Sequence, residues 1–256
     1  MSRLKKLFQE KKQNVLSVFY TAGFPKRDDT VSIARHLQAA GADIIEIGIP
    51  FSDPVADGPT IQASNKIALD NGMTVKLLLE QVKEIRKSVT MPVVLMGYLN
   101  PVLQYGFEKF CNDAAAAGVD GLILPDMPLD EFNEHRALTT SLGLDVIFLI
   151  SPTTSPERIA VIDGLSSGFV YAVSSSSTTG AKKGFTSEQE EYFRKLKNAG
   201  LKNPFLIGFG ISDHQTFSKA SQFSSGAIVG SAFINLLKES NNFESDIAQF
   251  VRSLKA

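Results

Sequence analysis

The chain has few of the features that tie a protein to an oxidising compartment, to nucleic acid or to a membrane. Its one cysteine, Cys111, cannot form an internal disulfide, which fits a reducing compartment. With 26 basic and 27 acidic residues the formal net charge is −1, so no basic surplus favours nucleic acid as a partner. The apolar run Val15–Tyr20 is too short for a signal sequence or a membrane span. These absences predict a soluble cytoplasmic protein.

Residues for metal binding or imine chemistry are also missing where such chemistry would need them. The histidines His36, His135 and His214 all fall in predicted helices, and no pair has the spacing of metal ligands. No predicted strand carries the lysine that an imine-forming aldolase uses, since Lys182 and Lys183 lie in a predicted loop. We therefore predict no metal in this chain.

What the sequence does contain is a regular alternation of short apolar runs and helical periods. Eight apolar runs predict strands at Val15–Tyr20, Ile44–Ile49, Val93–Tyr98, Gly121–Leu124, Val146–Ile150, Phe169–Val173, Phe205–Phe209 and Ala227–Gly230. Near-continuous apolar strands joined by crossover helices are typical of parallel sheets. An amphipathic pattern before the first strand predicts an additional N-terminal helix. With no low-complexity linker in 256 residues, we predict one (β/α)8 TIM-barrel domain spanning residues 1–256. A doubly wound open sheet is the alternative.

Several of the joints between a helix and the next strand repeat the same sequence. The pattern is A-G-A-D before Ile44, A-G-V-D before Gly121 and L-G-L-D before Val146. We interpret it as weak repetition of a βα unit in which the glycine ends the helix.

Two carboxylates lie on and after the second predicted strand. Glu46 interrupts the apolar run Ile44–Ile49, and Asp57 follows eleven residues later on a loop with three prolines. A charge on a strand buried on both faces is costly unless it is paired or useful. In such barrels the active site lies at the C-terminal ends of the strands. Two carboxylates in unlike environments there indicate acid–base chemistry.

A phosphate site is predicted after the last two strands. Gly208 and Gly210 permit close approach of backbone, and Ser231 is placed to open a short helix whose N–H groups would face an anion. Gly180, after the sixth strand, is a further candidate N–H donor. Each glycine alone is equally compatible with an ordinary turn. In the other strand-end loops, Asp53 and Asp126 are interpreted as residues that satisfy loop backbone.

Longer motifs resemble a known family. The stretch EIGIPFSDPVADGPTIQAS (46–64) resembles the signature of the tryptophan synthase alpha subunit, and further motifs agree along the chain: FYTAGFP (19–25), PVVLMGYLNP (92–101), LPDMP (124–128), GFGIS (208–212) and VGSAF (229–233). The resemblance implies a lyase that splits indole-3-glycerol phosphate into indole and glyceraldehyde 3-phosphate by a retro-aldol reaction.

The resemblance also implies roles for particular residues. Glu46 would be the proton carrier, Asp57 would bind the indole N–H, and Tyr171 would lie near Glu46. The implied substrate-binding residues are Phe19, Thr21, Ile61, Met96, Tyr98, Phe209, Gly180, Gly210, Gly230 and Ser231.

A partner is implied as well. Alpha subunits of this family work with a beta subunit that carries pyridoxal phosphate, in an α2β2 assembly, so no cofactor is expected in this chain. Residues 51–58 are expected to contribute to that contact. One stretch departs from the family pattern: Ser175, Ser176, Ser177 and Thr178 stand where an arginine and a glycine are common. We predict that the loop there closes through hydroxyl hydrogen bonds.

Three other functions remain open from the sequence. The first is an enzyme of the same architecture acting on another sugar phosphate, which would need the missing strand-end lysine or metal ligands. The second is a catalytically weak barrel that regulates a beta subunit, against which the intact Glu46 and Asp57 argue. The third is a stand-alone indole-releasing lyase.

Overall fold

The strands of the chain form one parallel sheet. A computed structural model describes residues 2–174 and 184–256. The strands are β1 (Val15–Thr21), β2 (Ile44–Gly48), β3 (Val93–Met96), β4 (Gly121–Ile123), β5 (Asp145–Ile147), β6 (Leu149–Ile150), β7 (Val170–Val173), β8 (Phe205–Gly208) and β9 (Gly226–Val229). The helices are α1 (Arg3–Glu10), α2 (Asp29–Ala40), α3 (Pro59–Asp70), α4 (Val75–Ile85), α5 (Leu99–Tyr105), α6 (Phe107–Ala117), α7 (Leu129–Ser141), α8 (Pro156–Leu165), α9 (Ser187–Asn198), α10 (His214–Phe223), α11 (Ser231–Glu239) and α12 (Phe243–Lys255).

The sheet closes on itself. Its strand order is β5-β4-β3-β2-β1-β9-β8-β7-β6, so the two end strands are β5 and β6. Only Phe148 separates these two in the chain, and its carbonyl accepts a hydrogen bond of 3.0 Å from the Tyr171 N–H on β7. β5 and β6 are therefore two halves of one barrel strand, the first paired with β4 and the second with β7. The predicted (β/α)8 barrel with an extra N-terminal helix is confirmed, and the open-sheet alternative is wrong.

Two local predictions are wrong near the ends of β2 and β3. Thr60, before the run Ile61–Ala63, predicts a helix with Thr60 as its N-cap. The helix begins instead at Pro59, since proline at the first helical position has the fixed φ that a helix needs. The third strand ends at Met96 instead of Tyr98, and the unpredicted helix α5 follows it. Asp126 supports that helix: its carboxylate accepts a 2.6 Å hydrogen bond from the Leu99 N–H. The expectation that Asp126 satisfies loop backbone is confirmed.

Side chains inside the barrel form a core separate from the layer between strands and helices. Apolar residues from eight of the strands meet in this inner cluster: Val15, Ile44, Val94, Ile123, Ile147, Tyr171, Leu206 and Ile228. Helix α1 closes the N-terminal end of the barrel, because Leu4 and Phe8 are buried in the same cluster. The rings of Phe8 and Phe169 lie 6.0 Å apart.

The repeated sequence between a helix and the next strand ends in an aspartate, and the contacts of these aspartates explain the repetition. Each aspartate stands at the start of a strand. The carboxylate of Asp43 accepts from the Leu16 N–H at 2.8 Å, and that of Asp120 accepts from the Val93 N–H at 2.8 Å. The third, Asp145, accepts a hydrogen bond from the Ser2 hydroxyl, which also caps α1. These carboxylates therefore join neighbouring strands and hold α1 in place.

Arg86 is expected to be one of the most important side chains for stability. Its guanidinium donates to the carbonyls of Gly118 and Met91, each at 2.7 Å, and to the buried carboxylate of Asp120. Arg86→Ala leaves both carbonyls without these donors, while Asp120 keeps its 2.9 Å ion pair with Arg3. We expect the free energy of unfolding, measured by urea titration, to fall by about 2–3 kcal/mol.

The matched control is Arg35→Ala. Arg35 also pairs with a carboxylate, that of Glu84 at 3.2 Å, but both side chains are more than 40% exposed. The expected loss is at most about 1 kcal/mol. Equal losses for the two variants would contradict the role assigned to Arg86.

Candidate active site

Glu46 lies inside the barrel and is completely inaccessible to solvent. Its Oε1 accepts a 2.7 Å hydrogen bond from the Ser17 hydroxyl on β1, and its Oε2 has no hydrogen-bond partner among the described residues. Burial raises the pKa of Glu46 to about 7, although the Ser17 hydrogen bond lowers it. A carboxyl group with this pKa has comparable protonated and ionised populations at neutral pH, as a proton carrier needs.

Asp57 is held over the C-terminal end of the barrel by Tyr98. The Tyr98 hydroxyl donates to Asp57 Oδ2 at 3.2 Å and accepts a 2.9 Å hydrogen bond from the Ala56 N–H. The ring of Tyr98 packs on that of Phe51, with centroids 5.2 Å apart. Burial raises the pKa of Asp57, and the Tyr98 hydrogen bond opposes that rise. Tyr98 thus attaches the loop after β2 to the residues that follow β3.

Tyr171 lies within electrostatic range of both carboxyl groups. Burial raises the pKa of its hydroxyl well above the usual range, and the negative charges of Glu46 and Asp57 raise it further. Both carboxyl groups are therefore close enough to Tyr171 for their charges to act on it. Its ring meets that of Phe209 edge to face at 6.2 Å.

The cleft has apolar walls at the same end of the barrel. Met96 and Phe209 are partly buried against the inner cluster. The Phe19 ring fills space left by two glycines: a Cβ added at Gly48 would lie 2.7 Å from it, and one at Gly230 would lie 3.6 Å away. These side chains give the C-terminal end of the barrel an apolar surface.

Thr21 and Ile61 lie at the border of the cleft with α3. The Thr21 hydroxyl is buried and shares a 2.7 Å hydrogen bond with that of Ser64. Ile61 packs against the outer core. The contacts of both residues serve the packing of β1 against α3.

The predicted phosphate residues lie after β8 and β9. Phe209 and Gly210 both adopt positive φ, at 67° and 74°, which turns the chain sharply at the end of β8. The Ser174 hydroxyl donates to the Phe209 carbonyl at 2.8 Å and supports this turn. Gly230 is the N-cap of α11, and the exposed Ser231 is its first residue. Gly180 and the serines at 175–177 lie outside the described residues.

The remaining candidates do not join the cleft. His135 stacks on Phe107 with ring centroids 4.1 Å apart, and His214 Nδ1 lies 3.0 Å from the Leu254 carbonyl. His36 is partly buried on α2, and Asp53 is exposed. Within the described ranges no cluster of three or more His, Cys, Asp and Glu side chains is placed to hold a metal ion. No helix in residues 2–174 or 184–256 has the length and apolar character to cross a bilayer.

Gly208 is expected to be required for the position of Tyr171. A Cβ at Gly208 would lie 2.2 Å from the Tyr171 hydroxyl oxygen and 2.4 Å from Cζ. Because Tyr171 is buried, Gly208→Ala must displace its ring or the strand. We expect a loss of about 1–3 kcal/mol in the free energy of unfolding, with a fall in kcat. Gly164→Ala, at a helical glycine with no atom within 4 Å of the added Cβ, should lower neither. A Gly208→Ala variant with normal stability and kcat would contradict this prediction.

Comparison with known families supplies the deciding observation. The sequence model of the family "Tryptophan synthase alpha chain" matches residues 4–255. The chain belongs to the tryptophan synthase alpha chain family. The resemblance stated from the motifs is confirmed.

Individual relatives agree over their full length. The tryptophan synthase alpha chain of Flavobacterium johnsoniae is 50% identical over 256 residues, covering 100% of both chains. That of Flavobacterium psychrophilum is 51% identical, covering 99% of this chain and 100% of its own. The solved tryptophan synthase subunit alpha of Legionella pneumophila superimposes with a TM-score of 0.90 at 35% identity, covering 100% of this chain and 97% of that one. A chain from Mycobacterium tuberculosis tryptophan synthase in its aminoacrylate-bound form gives 0.87 at 33% identity, covering 99% and 98%.

Membership in the tryptophan synthase alpha chain family fixes the activity. The family cleaves indole-3-glycerol phosphate in tryptophan biosynthesis, so the expected lyase is confirmed. In tryptophan synthase, pyridoxal phosphate belongs to the beta subunit. The alternative of an enzyme acting on another sugar phosphate is wrong.

Proposed function

We propose that Glu46, Asp57 and Tyr171 perform the cleavage of indole-3-glycerol phosphate into indole and glyceraldehyde 3-phosphate. The observation that supports this most directly is the state of Glu46: fully buried, with one oxygen unpaired and a pKa of about 7. A second carboxyl group and an apolar wall adjoin it.

Glu46 acts twice in the reaction. Its protonated carboxyl first gives a proton to C3 of the indole ring, which places a positive charge on the ring. The resulting carboxylate then takes the proton of the hydroxyl on the adjacent glycerol carbon. The electrons of that O–H bond form the aldehyde, those of the carbon–carbon bond return to the ring, and Glu46 is protonated again. Each proton transfer by such a group contributes about 10²–10⁴-fold.

Asp57 supports the step in which the ring is positive. Its carboxylate binds the indole N–H and offsets the developing charge, in a cleft where charges interact strongly because water is excluded. Tyr98 holds that carboxylate through the 3.2 Å hydrogen bond. Tyr171, whose hydroxyl stays neutral, lies beside both carboxyl groups and keeps water from them.

The substrate is placed by its two ends. The indole ring lies among Phe19, Met96 and Phe209, bordered by Thr21, Ile61 and Tyr98. The phosphate group is held by backbone N–H groups at Gly180, Gly210 and Gly230, and by Ser231 at the start of α11.

The partner is a tryptophan synthase beta subunit, which we propose to form an α2β2 complex with this chain in the cytoplasm. Residues 51–58 support this, because Val55 is an 86% exposed apolar side chain on the loop that carries Asp57. Indole would pass from the cleft to the beta subunit. We further propose that residues 1–256 act as one domain, and that hydroxyl groups at 175–178 close the loop after β7.

Indole release from indole-3-glycerol phosphate, with and without a beta subunit, tests this function. We expect slow cleavage by the chain alone and faster cleavage in the complex. Cleavage that does not respond to a beta subunit, with no complex in solution, would indicate a stand-alone lyase. Absence of cleavage alone and in the complex would indicate a barrel that only regulates its partner.

A further inference from the structure

We propose that Ser17 is a positioning residue for the proton carrier: its hydroxyl holds Glu46 by Oε1 and leaves Oε2 as the oxygen that transfers the proton. This inference rests on the proposed function of Glu46. It assigns separate tasks to the two carboxyl oxygens.

The geometry supports this division. Ser17 and Glu46 lie on the paired strands β1 and β2, where Ser17 is opposite Ile44 and Phe19 is opposite Glu46. Both polar side chains are fully buried, and their 2.7 Å hydrogen bond joins Ser17 Oγ to Oε1. Because Oε2 has no partner in the described part of the chain, it is free to face a substrate atom.

A buried carboxyl group with one anchored oxygen is restricted in orientation. Without the Ser17 hydroxyl, the carboxyl could rotate about its last bond and present either oxygen. Proton transfer needs a defined approach, and small errors of position reduce rates strongly. The hydroxyl therefore contributes to the rate without touching the substrate.

Among the described residues, only Ser17 donates a hydrogen bond to Glu46. From β1 the inward neighbours are Val15, Ser17 and Phe19, and from β3 they are Val94 and Met96, none of which titrates. The titratable neighbours are Tyr171 on β7 and Asp57 on the loop after β2. Neither is a cation, and the Ser17 hydrogen bond is what lowers the pKa of Glu46 against the effect of burial.

The pH dependence of cleavage tests the proposal. The reaction starts from protonated Glu46, so kcat/KM falls at alkaline pH with the pKa of Glu46 in the free enzyme. Ser17→Ala removes the hydrogen bond that favours the carboxylate, so this alkaline midpoint should move up by about one pH unit. At pH 7, kcat should fall roughly tenfold while KM stays within about twofold. The substrate phosphate, with a pKa of about 6, affects the acid side of every variant equally.

Two further variants keep the test decisive. Ser17→Cys keeps nearly the same side-chain volume and is a weaker donor, so it should shift the midpoint in the same direction by less. If Ser17→Ala does not fold, Ser17→Cys serves as the test in its place. Ser221→Ala removes another buried hydroxyl, one without a hydrogen-bond partner among the described residues, and should leave the profile unchanged.

The outcomes separate this inference from the function on which it rests. Unchanged midpoints and kcat in both Ser17 variants, with an inactive Glu46→Gln, would overturn the role of Ser17 alone. Near-normal turnover by Glu46→Gln would remove the proton carrier itself. An equal shift in Ser221→Ala would show that loss of any buried hydroxyl has this effect, and would also overturn the proposal.

Discussion

Glu46→Gln should abolish turnover while the protein still binds its substrate. Glutamine has nearly the shape of glutamic acid, so the cleft keeps its form, but an amide neither donates a proton to the indole ring nor accepts one from the glycerol hydroxyl. The loss in kcat at pH 7 should be at least about 10²–10⁴-fold, since both proton transfers depend on this group. Indole release measures turnover, and binding of substrate to the inactive variant is measured by calorimetry.

The same substitution should stabilise the protein at alkaline pH. The pKa of Glu46 is raised from 4.5 to about 7 in the folded state, so the folded protein holds this proton more tightly than the unfolded chain. The stability that this proton contributes is fully present below pH 4.5 and is lost as the pH rises through 7. The difference in unfolding free energy between Glu46→Gln and the natural protein should therefore grow by about 3 kcal/mol between pH 4.5 and pH 8.

An exposed glutamate provides the control for both measurements. Glu80 is exposed on α4, and Glu80→Gln should change neither indole release nor the pH dependence of unfolding. A Glu46→Gln variant that cleaves substrate at a near-normal rate would contradict the mechanism. A stability difference that does not vary with pH would contradict the raised pKa.

The sequence predicts those parts of the fold that depend on neighbouring residues. The near-continuous apolar runs of the buried strands and the period of 3.6 in the helices are local signals, and they place most elements within a few residues. Helix α5 was missed because its first N–H group is satisfied by Asp126, which comes from the loop after the next strand. The break at Phe148 was missed because it depends on two different neighbouring strands.

In the candidate site, too, the sequence indicates residues with a local signal and not those whose role depends on contacts with distant residues. Glu46 stands out because a charge in a buried strand needs an explanation. Ser17 gives a weaker form of that signal, since it is a polar residue inside the apolar run Val15–Tyr20 and a serine there carries no charge. Asp43, Asp120 and Asp145 recur at corresponding joints, but the joint sequence by itself indicates a role only for the glycines. The contacts that give these residues their roles join neighbouring strands, or α1 to the strands, and no local pattern encodes such contacts.

Asp57→Asn should lower kcat by about 10²–10³-fold with little effect on the fold. The amide keeps the size of the side chain and can still accept the Tyr98 hydrogen bond, but it loses the negative charge that offsets the positive indole ring. Because burial raises the pKa of Asp57, the charged form is disfavoured in the folded protein. The variant should therefore be at least as stable as the natural protein in urea titrations at pH 8.

Tyr98→Phe separates charge from position. It removes the 3.2 Å hydrogen bond to Asp57 but leaves the carboxyl group and the aromatic ring, so its kcat should fall by less than that of Asp57→Asn. The pH below which kcat falls as Asp57 becomes protonated should be higher in Tyr98→Phe, because the lost hydrogen bond had lowered the pKa of Asp57. If Tyr98→Phe lost as much activity as Asp57→Asn with no change in the pH profile, the contribution of Asp57 would be structural. If kcat falls further in Asp57→Asn than in Tyr98→Phe, the negative charge of Asp57 itself accelerates the reaction. An apolar cleft strengthens the effect of such a charge on the positive indole ring, because little water is present to screen it.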